Sequence, residues 1–278
     1  MHIVCCLKQV PDTADVRIDP ETNTLIREGV ESILNPYDAV AVEQALRIRE
    51  RFAGTVTCVS MGPPQSENVL REALSLGADR VFLLSDRAFA GADTLATSYT
   101  LACAIRRLDR EDPVQIVICG KQAIDGDTAQ TGPGVATRLG YTLFTYVEEI
   151  RELDPGQGAI EVVRRLDRGR EVLVGRLPVL LTVELELAKP RRASLPDTLW
   201  ALRAEIPVWN GEAIEADPTS LGIKGSPTWV RRIESPPARE SGPKFDAAQG
   251  TREAVGRALD LVLDDSGLAR NILSSPGE

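Results

Sequence analysis

The sequence predicts an α/β fold with a mostly parallel sheet covered by helices, and three observations carry that expectation. Short apolar runs of strand length alternate with amphipathic stretches of helix length between His2 and Gly140. The runs are apolar throughout, as strands buried on both faces are. Glycines stand where helices should stop, at Gly77 and Gly140.

The elements follow in order. His2 to Val10 reads as a buried strand, and Tyr37 to Phe52 as a helix with Val42, Ala45 and Leu46 on one face. Thr55 to Met61 is a strand, Gln65 to Leu76 a helix, Arg80 to Ser85 a strand, and Asp93 to Leu108 a helix capped by Asp93 or Thr94. Val114 to Cys119 is a strand, followed by a glycine-containing loop and a helix that begins near Thr128 to Pro133. Leu143 to Ile150, Ile160 to Arg165 and Val179 to Leu187 read as strands of an antiparallel extension, punctuated by Gly156, Gly158 and Gly169. From Lys189 onward, Pro190, Pro196, Pro207, Pro218, Pro227, Pro236, Pro237 and Pro243 interrupt any long element. Such a stretch builds no core of its own; it runs over the domain or wraps a partner. A last helix, Thr251 to Asp264, carries the stripe Val255, Ala258, Leu259 and Val262, expected to dock on a partner subunit. The expected division is an α/β domain over 1–207 and a C-terminal arm over 208–278.

Composition removes several function classes. The net charge is -9, which opposes non-specific nucleic-acid binding. No run approaches the ~18 apolar residues of a membrane span, and the N-terminus reads as a strand rather than a signal peptide. The single histidine, His2, cannot build a catalytic triad or a multi-histidine metal site. The five cysteines form no C-x-x-C pair and read as reduced core thiols of a cytoplasmic protein.

Three loops at strand ends converge on one crevice. The most informative follows Val114 to Cys119, where a helix N-terminus offers unpaired N–H groups to a phosphate. Gly126 lets backbone approach a ligand, and Thr128, Gln130 and Thr131 add hydrogen-bonding side chains. Asp125 and Asp127 are expected to cap the helix or bind a ribose hydroxyl. The second loop is Asn35-Pro-Tyr-Asp38, with Asn35 as helix cap. The third spans Ser85 to Thr97.

The segments Val4-Cys-Cys-Leu-Lys-Gln-Val-Pro-Asp-Thr13, Asn35-Pro-Tyr-Asp38, Met61-Gly-Pro-Pro64, Gly120-Lys-Gln-Ala-Ile-Asp-Gly-Asp-Thr-Ala-Gln-Thr-Gly132 and Pro190-Arg-Arg-Ala-Ser-Leu-Pro196 resemble the electron transfer flavoprotein beta subunit. The resemblance runs from residue 1 to about residue 207. It implies an adenine-nucleotide alpha-hydrolase-like fold, a heterodimer with a flavin-carrying alpha subunit, and an extended C-terminal arm that docks on it. It implies either AMP or a second FAD bound by this chain. The contacts carried over are Cys6, Asn35, Pro36, Tyr37, Asp38, Met61, Gly120, Lys121, Gln122, Ala123, Ile124, Asp125, Gly126, Asp127, Thr128, Ala129, Gln130 and Thr131. Leu195 matches the loop that grips partner dehydrogenases.

The Asp125-Gly-Asp-Thr-Ala-Gln130 form and the Ser85 to Thr94 stretch resemble the electron-bifurcating subgroup. That adds Asp86, Arg87, Phe89, Asp93, Thr94 and Thr97 to the cofactor-binding set. The space beside Gly126 suits FAD, which continues past the first phosphate. Thr131 departs from the subgroup, which usually has valine there. The subgroup implies NADH as electron donor, an acyl-CoA dehydrogenase-type flavoprotein partner, and ferredoxin or flavodoxin as low-potential acceptor. No catalytic residue is expected, since flavins carry the redox chemistry. The alternative is a conventional electron carrier that holds AMP and serves a quinone reductase. The arginines near Arg164 to Arg170 and at Arg231 and Arg232 are not implied by the resemblance and read as solvated surface.

Overall fold

The computed structural model describes residues 1–12, 17–18, 25–26, 32–228, 230, 244–245 and 250–265. They fall into two compact units, Met1–Ile233 and Glu234–Glu278.

The first unit opens with β1 (His2–Leu7), β2 (Gln9–Pro11), the short pair β3 (Arg17–Ile18) and β4 (Leu25–Ile26), and β5 (Ser32–Leu34). There follow α1 (Pro36–Phe52), β6 (Thr55–Met61), α2 (Glu67–Leu76), β7 (Arg80–Leu84), α3 (Thr94–Glu111), β8 (Val114–Gly120) and α4 (Thr131–Leu139). Next come β9 (Thr142–Asp154), β10 (Ala159–Leu166), β11 (Gly169–Arg176), β12 (Val179–Val183), α5 (Leu195–Arg203) and β13 (Val208–Trp209).

One nine-stranded sheet runs β11-β10-β9-β12-β8-β1-β6-β7-β13. Every pair from β9 to β13 is parallel, while β10 and β11 join as an antiparallel hairpin. The mostly parallel α/β expectation therefore stands, with three corrections. The first strand stops at Leu7, and the chain re-forms as β2 against β5. Residues 179–187 are not an antiparallel strand: β12 ends at Val183 and lies parallel between β8 and β9. The strand β11 was not anticipated, because its apolar run is only Val172-Leu173-Val174, flanked by Glu171 and Gly175, with Val172 and Val174 exposed on a sheet edge.

Apolar side chains on opposite faces of the strands build two cores. Ile3, Cys5, Val56 and Cys58 pack under α1 and α2, with Leu46 and Leu70 completely buried. Val4, Cys6, Val59 and Cys119 pack under α3 and α4 with Ile105 and Val135. All five cysteines are buried and free. A hydrogen bond to Cys6, together with burial, pushes the Cys119 thiol well above its ordinary value. His2 is buried, its ring nitrogens 2.9 Å from Asp112 O and from Thr57 Oγ1.

Residues 189–228 run over the domain, the first of the two expected courses. Ala201, Ile206, Trp209, Ile214 and Leu221 are buried in the two cores. Trp209 stacks on Phe82 with ring centroids 4.0 Å apart, a contact worth ~0.5–1.5 kcal/mol beyond its buried area. The arginines around residue 165 lie on the surface, as expected, and are paired there. Arg164 pairs with Glu171, Arg165 with Glu186 and Arg170 with Glu148. Arg231, Arg232, Pro236, Pro237 and Pro243 lie outside the described residues.

In the second unit, α6 spans Thr251–Asp265. Val255 and Leu259 of the expected stripe are exposed, while Ala254 is buried. The side chain of Val262 lies outside the described residues. No described helix is long and apolar enough to cross a membrane.

Candidate nucleotide-binding crevice

From β1 the chain moves one way along the sheet to β6 and β7, then crosses to the other side of β1 to form β8 and β12. The gap beyond the carboxyl ends of β1 and β8 is therefore a topological switch point, where parallel sheets take ligands. Cys6 and Cys119 are neighbours in register on β1 and β8, near the ends of those strands.

Asp38 ties the two sides of this crevice together. Its Oδ2 accepts a hydrogen bond from Lys8 N at 2.8 Å and its Oδ1 one from Gly120 N at 3.0 Å. One buried carboxylate so caps both diverging strands. Burial pushes its carboxyl up to about 7, against the hydrogen bonds from Lys8, Asn35 and Gly120. Gly120 is required at this spot, because a Cβ there would lie 2.4 Å from Asp38 Oδ1 and 2.6 Å from Tyr37 Cβ.

Asn35 occupies the cap position of α1 but makes no cap hydrogen bond. It reaches across the crevice instead: its Nδ2 donates to Gln122 O at 2.9 Å, and its Oδ1 accepts from Ile124 N at 3.3 Å. The Asn35–Asp38 turn is thus a scaffold for the loop after β8. Pro36 starts α1, and Tyr37 lies 5.2 Å beneath the Lys121 ammonium. Lys121 pairs with Glu184 at 3.1 Å and also lies over Tyr146. Desolvation opposes its charge, but the Glu184 carboxylate holds the ammonium above its usual range.

Residues 121–130 form an exposed loop held at its base. Asp127 N donates to Ala123 O at 2.9 Å. Asp125 accepts twice from Lys8 Nζ at 2.7 Å. Asp127 accepts from Gln122 Nε2 at 2.7 Å. Neither aspartate caps the helix, the first of the two expected roles; both bind side chains within the crevice wall. Between them Gly126 is exposed, and a Cβ there would meet nothing within 4 Å. Asp127 and Ala129 adopt φ of 49° and 53°, a left-handed geometry that costs ~1–3 kcal/mol per residue in side-chain-bearing positions. Thr128 is exposed, and Thr131 opens α4.

The helix after this loop has Gln130 at its cap position and no side-chain cap. Its first amides therefore remain available to a ligand. Gln130 Oε1 accepts instead from Thr94 Oγ1 at 3.0 Å, joining the starts of α3 and α4.

The third loop is organised by the proline-rich segment. Asp86 accepts from Ala88 N and from Gly211 N, both at 3.0 Å, and the Gly211 bond chiefly holds its carboxyl low. Asp93 caps α3 through Leu95 N and Ala96 N, and accepts from Thr228 N and Oγ1 as well. Desolvation raises it, yet these bonds leave its carboxyl below the usual range. Phe89 is buried in the core, so it shapes the loop from beneath. Arg87 is exposed, and no carboxylate pairs with it among the described residues. Thr97 sits in the first turn of α3, its amide bonded to Asp93 O. Met61, half-buried, ends β6 beside the Gly62 turn. The structure thus brings the three loops to one end of the sheet. Leu195 lies apart from them, 72% exposed at the start of α5.

Sequence reasoning missed Lys8, Glu184, Tyr146 and Gly211. Only Glu184 left a signal, a carboxylate directly after the apolar run Val179–Val183.

A model of the electron transfer flavoprotein domain matches residues 22–213. The chain belongs to the electron transfer flavoprotein family. Protein FixA of Bradyrhizobium diazoefficiens is 48% identical over 264 residues, covering 94% of this chain and 92% of that relative. The electron transfer flavoprotein subunit beta of Clostridium acetobutylicum is 48% identical over 265 residues, covering 95% and 99%. The Caffeyl-CoA reductase-Etf complex subunit CarD of Acetobacterium woodii is 50% identical over 243 residues, covering 87% and 90%. Within the electron transfer flavoprotein family the chain is of the beta-subunit type.

The donor set fits a dinucleotide. The uncapped start of α4 suits a phosphate, Arg87, which has no carboxylate partner among the described residues, offers a cation, and no atom of the described residues lies within 4 Å of where a Cβ of Gly126 would stand. Among the described residues no cluster of His, Cys, Asp or Glu could hold a metal ion.

Proposed function

We propose that this chain is the beta subunit of a heterodimeric electron transfer flavoprotein and holds FAD in the crevice. With its alpha subunit it passes electrons between NADH, an acyl-CoA dehydrogenase-type flavoprotein and a low-potential acceptor, ferredoxin or flavodoxin. The observation that carries the FAD reading is Gly126. Its backbone is not left-handed, and nothing lies within 4 Å of where its Cβ would stand. The loop's own packing therefore makes no demand for glycine, and a ligand that continues past the first phosphate does.

Bound FAD supplies both two-electron exchange with NADH and one-electron steps. The chain's residues bind and orient. Asp38 and Asn35 fix the crevice walls; the start of α4 receives phosphate; Gln130 and Thr94 lock the two helix starts together. Lys121 and Glu184 neutralise each other, so the mouth gains little net charge from them. Leu195 is the docking leucine for the dehydrogenase; of residues 208–278, those up to 228 belong to the domain, and the second unit, Glu234–Glu278, is the arm toward the alpha subunit.

The test is to co-express the chain with its alpha partner, release cofactors by mild denaturation and count them. Two FAD and no AMP per heterodimer is the expected result, with NADH bleaching the flavin. One FAD and one AMP would make the protein a conventional carrier and overturn the reading of Gly126.

A further inference from the structure

The segment between β12 and α5 has little regular backbone structure to hold it, yet it is tied down at both ends. Glu43, on α1, is a buried carboxylate. Its Oε2 accepts from Arg191 N at 3.1 Å and from Arg191 Nε at 2.8 Å, while its Oε1 accepts from Arg47 Nε at 2.6 Å. The same guanidinium donates through Nη1 to Glu50 Oε1 at 2.6 Å. Arg47 also donates to Lys189 O. At the other end of α5, Arg71 Nη1 on α2 donates to Ala201 O at 2.8 Å and Ala204 O at 2.9 Å.

What these clamps present is apolar. Ala201 is the one buried residue of the nine-residue α5. Beside Leu195, the helix exposes Leu199 at 47%, Trp200 at 58% and Leu202 at 61%. Ordering such a short helix on a surface brings little burial of its own. Fixing it in advance lowers the entropy lost when a partner covers it, and aromatic anchors of this kind dominate binding energy.

We infer that Glu43 and Arg191 are positioning residues that pre-organise a docking ridge, Leu195–Leu199–Trp200, for the flavoprotein dehydrogenase partner. The inference rests on the reading of Leu195 as the docking leucine and extends it to the helix that follows and to the clamp behind it. Arg191 suits the task because its planar fork meets Glu43 and Glu50 at once, which a lysine ammonium cannot do.

The test measures electron transfer from a substrate-reduced acyl-CoA dehydrogenase to the heterodimer as dehydrogenase concentration is varied. Arg191→Ala is expected to raise KM for the dehydrogenase by about tenfold with kcat within about twofold, because it loosens the ridge without touching the crevice. Arg191→Lys should fall between it and the wild type. Glu50→Ala removes only the exposed half of the clamp, and should raise KM by about threefold at most. Trp200→Ala should match Arg191→Ala. Flavin absorbance and melting temperature are recorded for each variant. An unchanged KM in Arg191→Ala and Glu50→Ala, with a raised KM in Leu195→Ala, overturns the clamp while sparing the docking leucine. An unchanged KM in Leu195→Ala, or no transfer from the dehydrogenase to wild type, overturns both. A KM rise accompanied by lost flavin or a lowered melting temperature in Glu50→Ala would make the pair merely structural and also overturns the inference.

Discussion

Replacing Asp38 by asparagine separates its two contributions to the fold. In the wild type both carboxylate oxygens accept backbone N–H bonds, from Lys8 and from Gly120. Asparagine offers one acceptor oxygen, so one buried N–H loses its partner, at a cost of ~1–3 kcal/mol. Against that stands the charge. Burial moves the Asp38 carboxyl from 3.8 to about 7, and each unit is worth ~1.4 kcal/mol, so ionising it in the folded chain costs on the order of 4 kcal/mol. The folded state holds this proton more tightly than the unfolded chain. Stability from this group is therefore complete below pH 3.8 and is lost as pH rises to about 7. The variant lacks that loss. Urea denaturation from pH 5 to pH 8.5 should show Asp38→Asn less stable than wild type at the acidic end. The gap should close or reverse at the alkaline end, shifting by up to ~3 kcal/mol across the range. Using the difference between two chains cancels the titration of the remaining carboxylates. A constant gap across the range would refute the reasoning and mean that the two N–H bonds hold Asp38 ionised throughout.

Gly126→Val should leave thermal stability within ~0.5 kcal/mol, since its side chain starts in open space, but weaken FAD binding at least about tenfold by fluorescence titration. Gly132→Ala places a Cβ 2.6 Å from Thr182 Cγ2, so a melting scan should record a loss of ~1–3 kcal/mol from overpacking α4 on the sheet. Asp93→Ala removes the cap of α3 and the anchor of Thr228 together; denaturant melts should show a loss of ~1–2 kcal/mol, and hydrogen exchange should rise at residues 85–96. Glu43 is held low by Arg191 and Arg47 although desolvation opposes them. Its stabilising share is present above the ordinary glutamate range and lost as pH falls through its depressed value, which pH-resolved hydrogen exchange of 189–195 would report.

The alternation of strands and helices was legible because burial on both faces leaves uniformly apolar runs, and Gly77 ended α2 with φ of 112° as a left-handed cap. Direction was not legible. The run Val179–Val183 says that a strand is buried; only its neighbours β8 and β9, brought in from residues 114–154, decide that it is parallel. The crevice loops were located for the same reason that their details were missed. Asn35 and Asp38 carry the residue types of a helix start, and short-range rules assign them to α1. Their partners Gln122, Ile124 and Gly120 lie more than eighty residues away. Likewise the acid pair Asp125 and Asp127 resembles a cap until Lys8 and Gln122 are seen to bind them. Resemblance supplied the site as a set of positions; the hydrogen bonds show which of them hold the loops to one another.

The late arrival of β13 sets an order on biosynthesis. Until Val208 and Trp209 leave the ribosome, β7 presents an open apolar edge, and Asp86 has no Gly211 amide to accept. Domains that fold from their N-terminus during synthesis must then wait: the strands around β1 are complete once β12 is made, while the third crevice loop is not. A nascent chain stalled before residue 208 would have the uncapped start of α4 in place but an unformed opposite wall. The crevice is thereby completed only once the polypeptide is three-quarters made, and truncated products are left with a sticky strand edge that marks them for aggregation or removal.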